Sequence, residues 1–149
     1  MLKDVLVELF ERDLGRLKAE IEQYSDESDL WKTSGEITNS AGNLTLHLIG
    51  NLKHFIGAVL GGSGFVRDRD AEFSSGDVSR DKLFADVQET AVLVRATLEK
   101  LTDEDFAKTY LIEVFGHPMT TEFFIIHLTT HLNYHLGQIN YHRRLLSAE

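Results

Sequence analysis

The chain contains no cysteine, which removes three chemistries at once: a disulfide framework, a thiolate metal ligand and a cysteine nucleophile. Its single proline, Pro118, leaves long stretches free to remain helical. No apolar run approaches the ~20 residues needed to span a bilayer, and the opening MLKDVLVELFERD lacks a secretory-signal pattern. A cytoplasmic protein with no membrane contact is therefore expected. Basic charge is also scarce. Fifteen Lys and Arg against 24 Asp and Glu give a formal charge of −9, which argues against a nucleic-acid partner because phosphates demand a basic surface. The clustered arginines, Arg67 with Arg69 and Arg143 with Arg144, read as a solvated loop and a helix end. What is present, 42% hydrophobic and 26% charged residues over 149 positions, suits one globular domain spanning 1–149.

Four segments carry helical periodicity. From about Leu2 to Tyr24, residues Leu6, Leu9, Phe10, Leu14, Leu17 and Ile21 recur at steps of three and four. A second segment begins between Ile37 and Ser40 and ends near Leu60, with Leu44, His47, Leu48, Leu52, Phe55, Ile56 and Val59 on one broad face. The run Gly61-Gly62-Ser63-Gly64 stops it; with no Walker lysine and no preceding strand, this is a terminator rather than a phosphate loop. A third segment runs from Ser79, an N-cap, to about Leu101, where Thr102 to Asp105 break it. The fourth, from Thr120 or Thr121 to Leu146, is the longest, ~27 residues or ~40 Å at 1.5 Å per residue.

The connections are less regular. Leu30 and Trp31 fall in a loop, with Trp31 as a lid over the bundle end. Residues 61–80 form a long charged connection, of the kind that is functional or that crosses between bundle ends. Tyr110 to Phe115 is β-prone before the turn Gly116-His117-Pro118, predicting a short extended excursion or hairpin. Four amphipathic helices without strong strands predict an all-α four-helix bundle with a long connection between its second and third helices.

Chemistry concentrates in HLTTHLNYHLGQINYH. His127, His131 and His135 recur every fourth residue, so on a helix each imidazole drifts about 40° from the last along one face. His131 and His135 stand about 6 Å apart at their roots, the spacing by which helical motifs grip one ion. Two ligands hold a metal weakly. His47, inside the apolar face of the second segment among Leu44, Leu46 and Leu48, is the best third, because an imidazole facing a core needs a partner. His54, two turns or ~10 Å beyond His47, lies too far to share its ion, and His142 bears the same relation to His135. Both read as core or interface residues, and His117 as a turn residue. Glu122 falls about 180° from His131 and should face elsewhere, whereas Glu72, Arg67 or Arg69 in the long connection could fold over the site.

The segment His131-Leu-Asn-Tyr-His135-Leu-Gly137-Gln138 resembles the HxxxHxGQ ending of the DinB-like superfamily. Asn43-Leu-Thr-Leu-His47-Leu-Ile-Gly50-Asn51 resembles that family's other signature, a histidine followed by Gly-Asn, and Arg69-Asp70-Ala71-Glu72-Phe73 is similar to the crossover loop of one branch. The matches run in order from about residue 36 to 144. The resemblance implies a four-helix bundle with a metal held by His47, His131 and His135, His127 lying one turn outside the ligand set. Three neutral imidazoles leave an open coordination position, the catalytic pattern; zinc suits the set, and nickel or manganese with more waters also fits. Gly137 would let a neighbouring element approach closely. Gln138, Asn43, Asn51 and Asn133 are supporting candidates, and Tyr134 with Trp31 could line a pocket mouth.

The resemblance further implies a metal-dependent transferase acting on a small-molecule substrate with a low-molecular-weight thiol as cosubstrate. A metal-dependent hydrolase is the near alternative. A non-catalytic metal-binding, stress-associated protein, forming a homodimer through a spare apolar face, is the alternative from outside enzymology. The residues themselves supply no distinctive general base beside the ligands.

Overall fold

Ser40, Ser79 and Thr102 each accept a hydrogen bond from the backbone N–H three residues on, and each opens a helix. The structure, a computed structural model, describes residues 1–147. Its helices are α1 (Leu2–Glu22), α2 (Ala41–Leu52), α3 (Arg69–Ser74), α4 (Arg80–Lys100), α5 (Asp103–Ala107) and α6 (Thr121–Ser147). A 3-10 turn covers Glu27–Trp31, and a π-helical turn, Lys53–Ala58, extends α2.

The four long helices make the expected bundle, in which α1 and α2 each pack against both α4 and α6. Cross-helix pairs fix their directions. Lys3 reaches the carbonyls of Glu99 and Leu101 near one end of α1, Glu11 meets Arg95 at its middle, and Arg80 reaches the carbonyl of Tyr24 beyond the other end, so α1 and α4 are antiparallel. Phe55 packs on Phe124 while His47 faces His131, so α2 and α6 are antiparallel too. Helices α2 and α4 run parallel: Lys53 pairs with Glu89, and a Cβ on Gly57 or Gly61 would run into Leu93 or Thr97. The chain must therefore travel back along the bundle between α2 and α4. The long connection is a crossover of the kind the sequence suggested.

The core follows the predicted stripes. Leu6, Phe10, Leu14, Leu17 and Ile21 of α1 meet Leu48, Leu52 and Ile56, Leu83, Val87, Val94 and Leu98, and Phe124, Ile125, Leu128, Leu132 and Ile139. Trp31 is partly buried, its ring lying over Gly42 at the start of α2, where a Cβ would strike it.

The connections hold more structure than expected. The crossover contains α3, capped by Asp68, whose side chain accepts from the Ala71 N–H. Thr102 to Asp105 end α4 and at once start α5 through a reciprocal capping box. Of the short extended excursion or hairpin expected near Tyr110, the structure shows one antiparallel bridge, Thr109 with Thr120, with no strand beside it among the described residues. Among the described residues no helix is long and apolar enough to cross a membrane.

Candidate metal centre

Helices α2 and α6 bring His47, His131 and His135 together, with one ligand atom from each lying within 4.8 Å of the others. The Nε2 atoms of His47 and His131 stand 3.1 Å apart, and the ring of His135 lies 5.3 Å from His47 and 4.6 Å from His131, centroid to centroid. Tetrahedral ligands at ~2.0–2.1 Å from zinc sit roughly 3.3 Å from one another, so the first pair is already spaced for an ion.

What each ring does with its other nitrogen decides where its lone pair points. His47 Nδ1 lies 3.1 Å from Glu72 Oε1. Arg67 holds the same carboxylate in a two-pronged fork, Nε to Oε2 at 2.8 Å and Nη2 to Oε1 at 3.0 Å. Burial would raise the Glu72 pKa, but hydrogen bonds from His47 and Arg67 and the arginine charge bring it below the usual carboxylate value. An ionised oxygen facing Nδ1 requires a proton on that nitrogen, although Arg67 Nη2 also comes within 3.3 Å of it. His47 therefore donates to Glu72 and presents a bare Nε2 to His131. In the same way His135 Nδ1 donates to Gln138 Oε1 at 2.7 Å, and Gln138 Nε2 donates to the Tyr134 hydroxyl at 3.3 Å.

His131 differs. Its Nδ1 is buried with no hydrogen-bond partner among the described residues. Burial first, then the neighbouring His135, His47 and His127 and the Arg67 charge, push its pKa down to about 4. Burial also lowers that of His135, against the opposing pull of Gln138. Burial thus disfavours protonation of both rings, and His131 keeps its lone pair available in mildly acidic water. Two bare nitrogens aimed at one point, with a third imidazole beside them, fit a borderline-soft divalent cation.

The other expected residues divide. His127 lies outside the cluster, its ring 4.8 Å from Phe115 and 5.9 Å from Phe124. Asn43 neither faces solvent nor merely caps: its Nδ2 donates to the carbonyls of Glu72 (3.0 Å) and Ser75 (2.7 Å). Asn51 is buried one turn beyond His47, and no hydrogen bond links it to the histidines among the described residues. Asn133 turns to Asp13 on α1. His142 is buried between the Tyr24 hydroxyl and the Lys32 carbonyl, and exposed His117 stays at its turn. His54 sits on the π turn, its pKa lowered by burial and then by the Arg67 charge.

Two expectations are corrected. Arg67, read as part of a solvated loop, is only 12% exposed by side chain because it forks onto the buried Glu72 carboxylate. Gly137 makes no close approach, since a Cβ there would meet nothing within 4 Å; α6 turns that position outward. The glycine that does make room is Gly50, where a Cβ would collide with the Glu72 carboxylate. The sequence reading also missed Phe73, whose ring lies 5.0 Å from His47. A cavity of about 310 Å³ is lined by Leu44, Gln138, Tyr141 and His142 but by none of the three histidines, and Tyr134, 65% exposed, does not line it.

The family described as protein of unknown function, DUF1572, matches residues 4–149. The chain belongs to the DUF1572 family, within the DinB-like group. Solved structures agree on the fold of this DUF1572 protein. A conserved protein from Enterococcus faecalis superposes with a TM-score of 0.82 at 15% identity, covering 100% of this chain and 99% of its own. A DinB-like protein from Bacillus cereus ATCC 10987 superposes at 0.74 with 17% identity, covering 95% and 91%. A search of curated proteins finds no match. In this DUF1572 member, then, the bundle is shared with DinB-like proteins, and the three histidines it brings together can hold a metal ion.

Proposed function

We propose that the protein is a divalent-metal-dependent transferase, with the ion held by His47, His131 and His135 and a low-molecular-weight thiol as cosubstrate. The observation that carries this reading is the convergence of three imidazoles, of which His47 is bonded to a carboxylate, Glu72, that Arg67 neutralises. A cation held by neutral ligands keeps its full charge and favours an anion in its open position, so when bound it supplies a lowered pKa to a thiol or water placed there. Zinc is the first candidate by ligand type, followed by nickel and manganese.

The chain's own residues bind and orient. Glu72 and Gln138 set the His47 and His135 rings. With no cysteine in the chain, the thiol comes from outside. A proton-transfer role is poorly served: Glu72 is occupied by Arg67, and His127 packs on Phe115 and Phe124. That supports a reaction in which the thiol sulfur itself attacks an electrophilic carbon, its proton passing to water and the leaving group departing with the bonding pair. Hydrolysis, which would draw on a base for water, is favoured less.

The test is elemental analysis of untagged protein beside His131→Ala. About one zinc, nickel or manganese per chain, absent in the variant, supports the centre and calls for a screen of electrophiles with small thiols. No metal in either protein, after incubation with divalent ions, overturns it.

A further inference from the structure

Glu72 is the one described carboxylate bonded to a histidine of the cluster, His47, and its position depends on contacts far apart in sequence. Gly50, one turn beyond His47 on α2, leaves the space its carboxylate fills. Arg67, ahead of α3, forks onto both carboxylate oxygens. Asn43, in the first turn of α2, holds the main chain of α3 through the carbonyls of Glu72 and Ser75. All of these partners lie on α2 or on the crossover. Glu72 is 7% exposed and Arg67 only 12% by side chain, so docking removes a charged pair from water. Such burial persists only when the geometry is fully satisfied.

We infer that Glu72 is a positioning residue for metal binding, and that residues 67–75 form a clasp whose docking on Gly50 is coupled to occupancy of the histidine site. The inference rests on the reading of His47, His131 and His135 as a metal centre. A carboxylate accepting from Nδ1–H fixes the tautomer of His47 and makes its Nε2 a better donor to a cation. With the crossover undocked, His47 has neither constraint. Coupling is reciprocal, so an ion that binds better to the docked form also holds the crossover down.

The test uses the full chain and zinc, with a competing chelator to set the free concentration. Gly50→Ala, which touches no ligand and adds only a methyl group, should weaken zinc 10- to 100-fold, as should Glu72→Ala. Glu72→Gln, which keeps an acceptor for Nδ1–H but lacks the charge Arg67 needs, should fall between these and the wild type. Zinc should slow tryptic cleavage after Arg67 and Arg69 in the wild type and not in Gly50→Ala. The ring nitrogen shifts of His47 should report a single Nδ1–H tautomer in the wild type and a mixture in Glu72→Ala, a change that loss of packing alone does not produce.

Folded variants that bind zinc as the wild type does, or wild-type cleavage indifferent to zinc, would sink the clasp while leaving the centre intact. A wild type that takes up no zinc overturns the centre and the clasp with it. Should Gly50→Ala fail to fold, Glu72→Gln decides alone.

Discussion

Two stretches of the bundle read almost alike: His47-Leu-Ile-Gly50-Asn51 on α2, and His135-Leu-Gly137-Gln138 on α6. Each sets a histidine, a glycine and an amide within about one helical turn. The folded chain uses them in opposite ways. On α2 the glycine is covered, the amide is buried away from the histidines, and the imidazole is oriented by a carboxylate 25 residues further along the chain. On α6 the glycine is open and the amide itself holds the imidazole, three residues away on the same helix. A local motif therefore specifies which residues share a face, but not which of them orients the ring. Orientation comes from whatever packs on that face, and only α2 has the crossover above it.

The sharpest way to break this comparison is to remove the orienting group on each side. Gln138→Ala should weaken zinc about tenfold, the low end of the range for groups that support a metal ligand, because the glutamine is exposed and water can replace its oxygen. Glu72→Ala should exceed it, since water has little access to a carboxylate that is 7% exposed. Zinc affinities measured in one buffer test the ranking. Equal losses would mean that burial of the orienting group does not matter, and the contrast between the two helices would fall.

Much of this geometry was legible in the sequence, and what was not has a common cause. The four helices, the Ser79 cap and the shared face of His131 and His135 rest on local periodicity and capping, which a chain carries in adjacent residues. His47, 84 residues before His131, is joined to them instead by its place on an apolar face and by the family resemblance. The roles of Glu72, Arg67 and Asn43 rest on contacts spanning 5 to 32 residues through an irregular connection, where no period exists to align them. The sequence marked the crossover as able to reach the site, and α3 is the part that does. Gly137 was misread for the same reason: glycine permits a close approach but does not create one, and only the packing partner shows which glycine is used. The β-prone Tyr110 to Phe115 follows a single bridge between Thr109 and Thr120 rather than a full hairpin among the described residues, because strand propensity needs a neighbouring strand.

Acid sharpens the same contrast from the α6 side. Folding lowers the pKa of His131 to about 4 from its ordinary value near 6.5, so between those values the unfolded chain binds the proton more readily. Its contribution to stability is then complete above pH 6.5 and drains away as pH falls toward 4. Metal-free protein should lose thermal stability steadily from pH 7 to 5, and His131→Ala should show a shallower decline, with His135 and His54, also lowered by burial, accounting for the remainder. Melting curves on chelator-treated protein check this. Parallel slopes for the two proteins would show that His131 is not the buried base the geometry makes it.

The smallest expected effect isolates the glycines. Gly137 lies inside α6 with open space where a side chain would go, so Gly137→Ala adds helix propensity without a clash and should stabilise the fold by about 0.5–1 kcal/mol. Zinc affinity should not change, because Gln138 and His135 keep their positions on the helix. Gly50→Ala gains the same propensity on α2 and should still be the worse protein, since its methyl group meets a carboxylate that cannot move without releasing Arg67 and His47. Chemical denaturation paired with zinc titration separates the two cases. If Gly137→Ala instead weakens zinc, some element does approach α6 closely when the site is filled, and the asymmetry between the two histidine-bearing helices would belong to the metal-free protein alone.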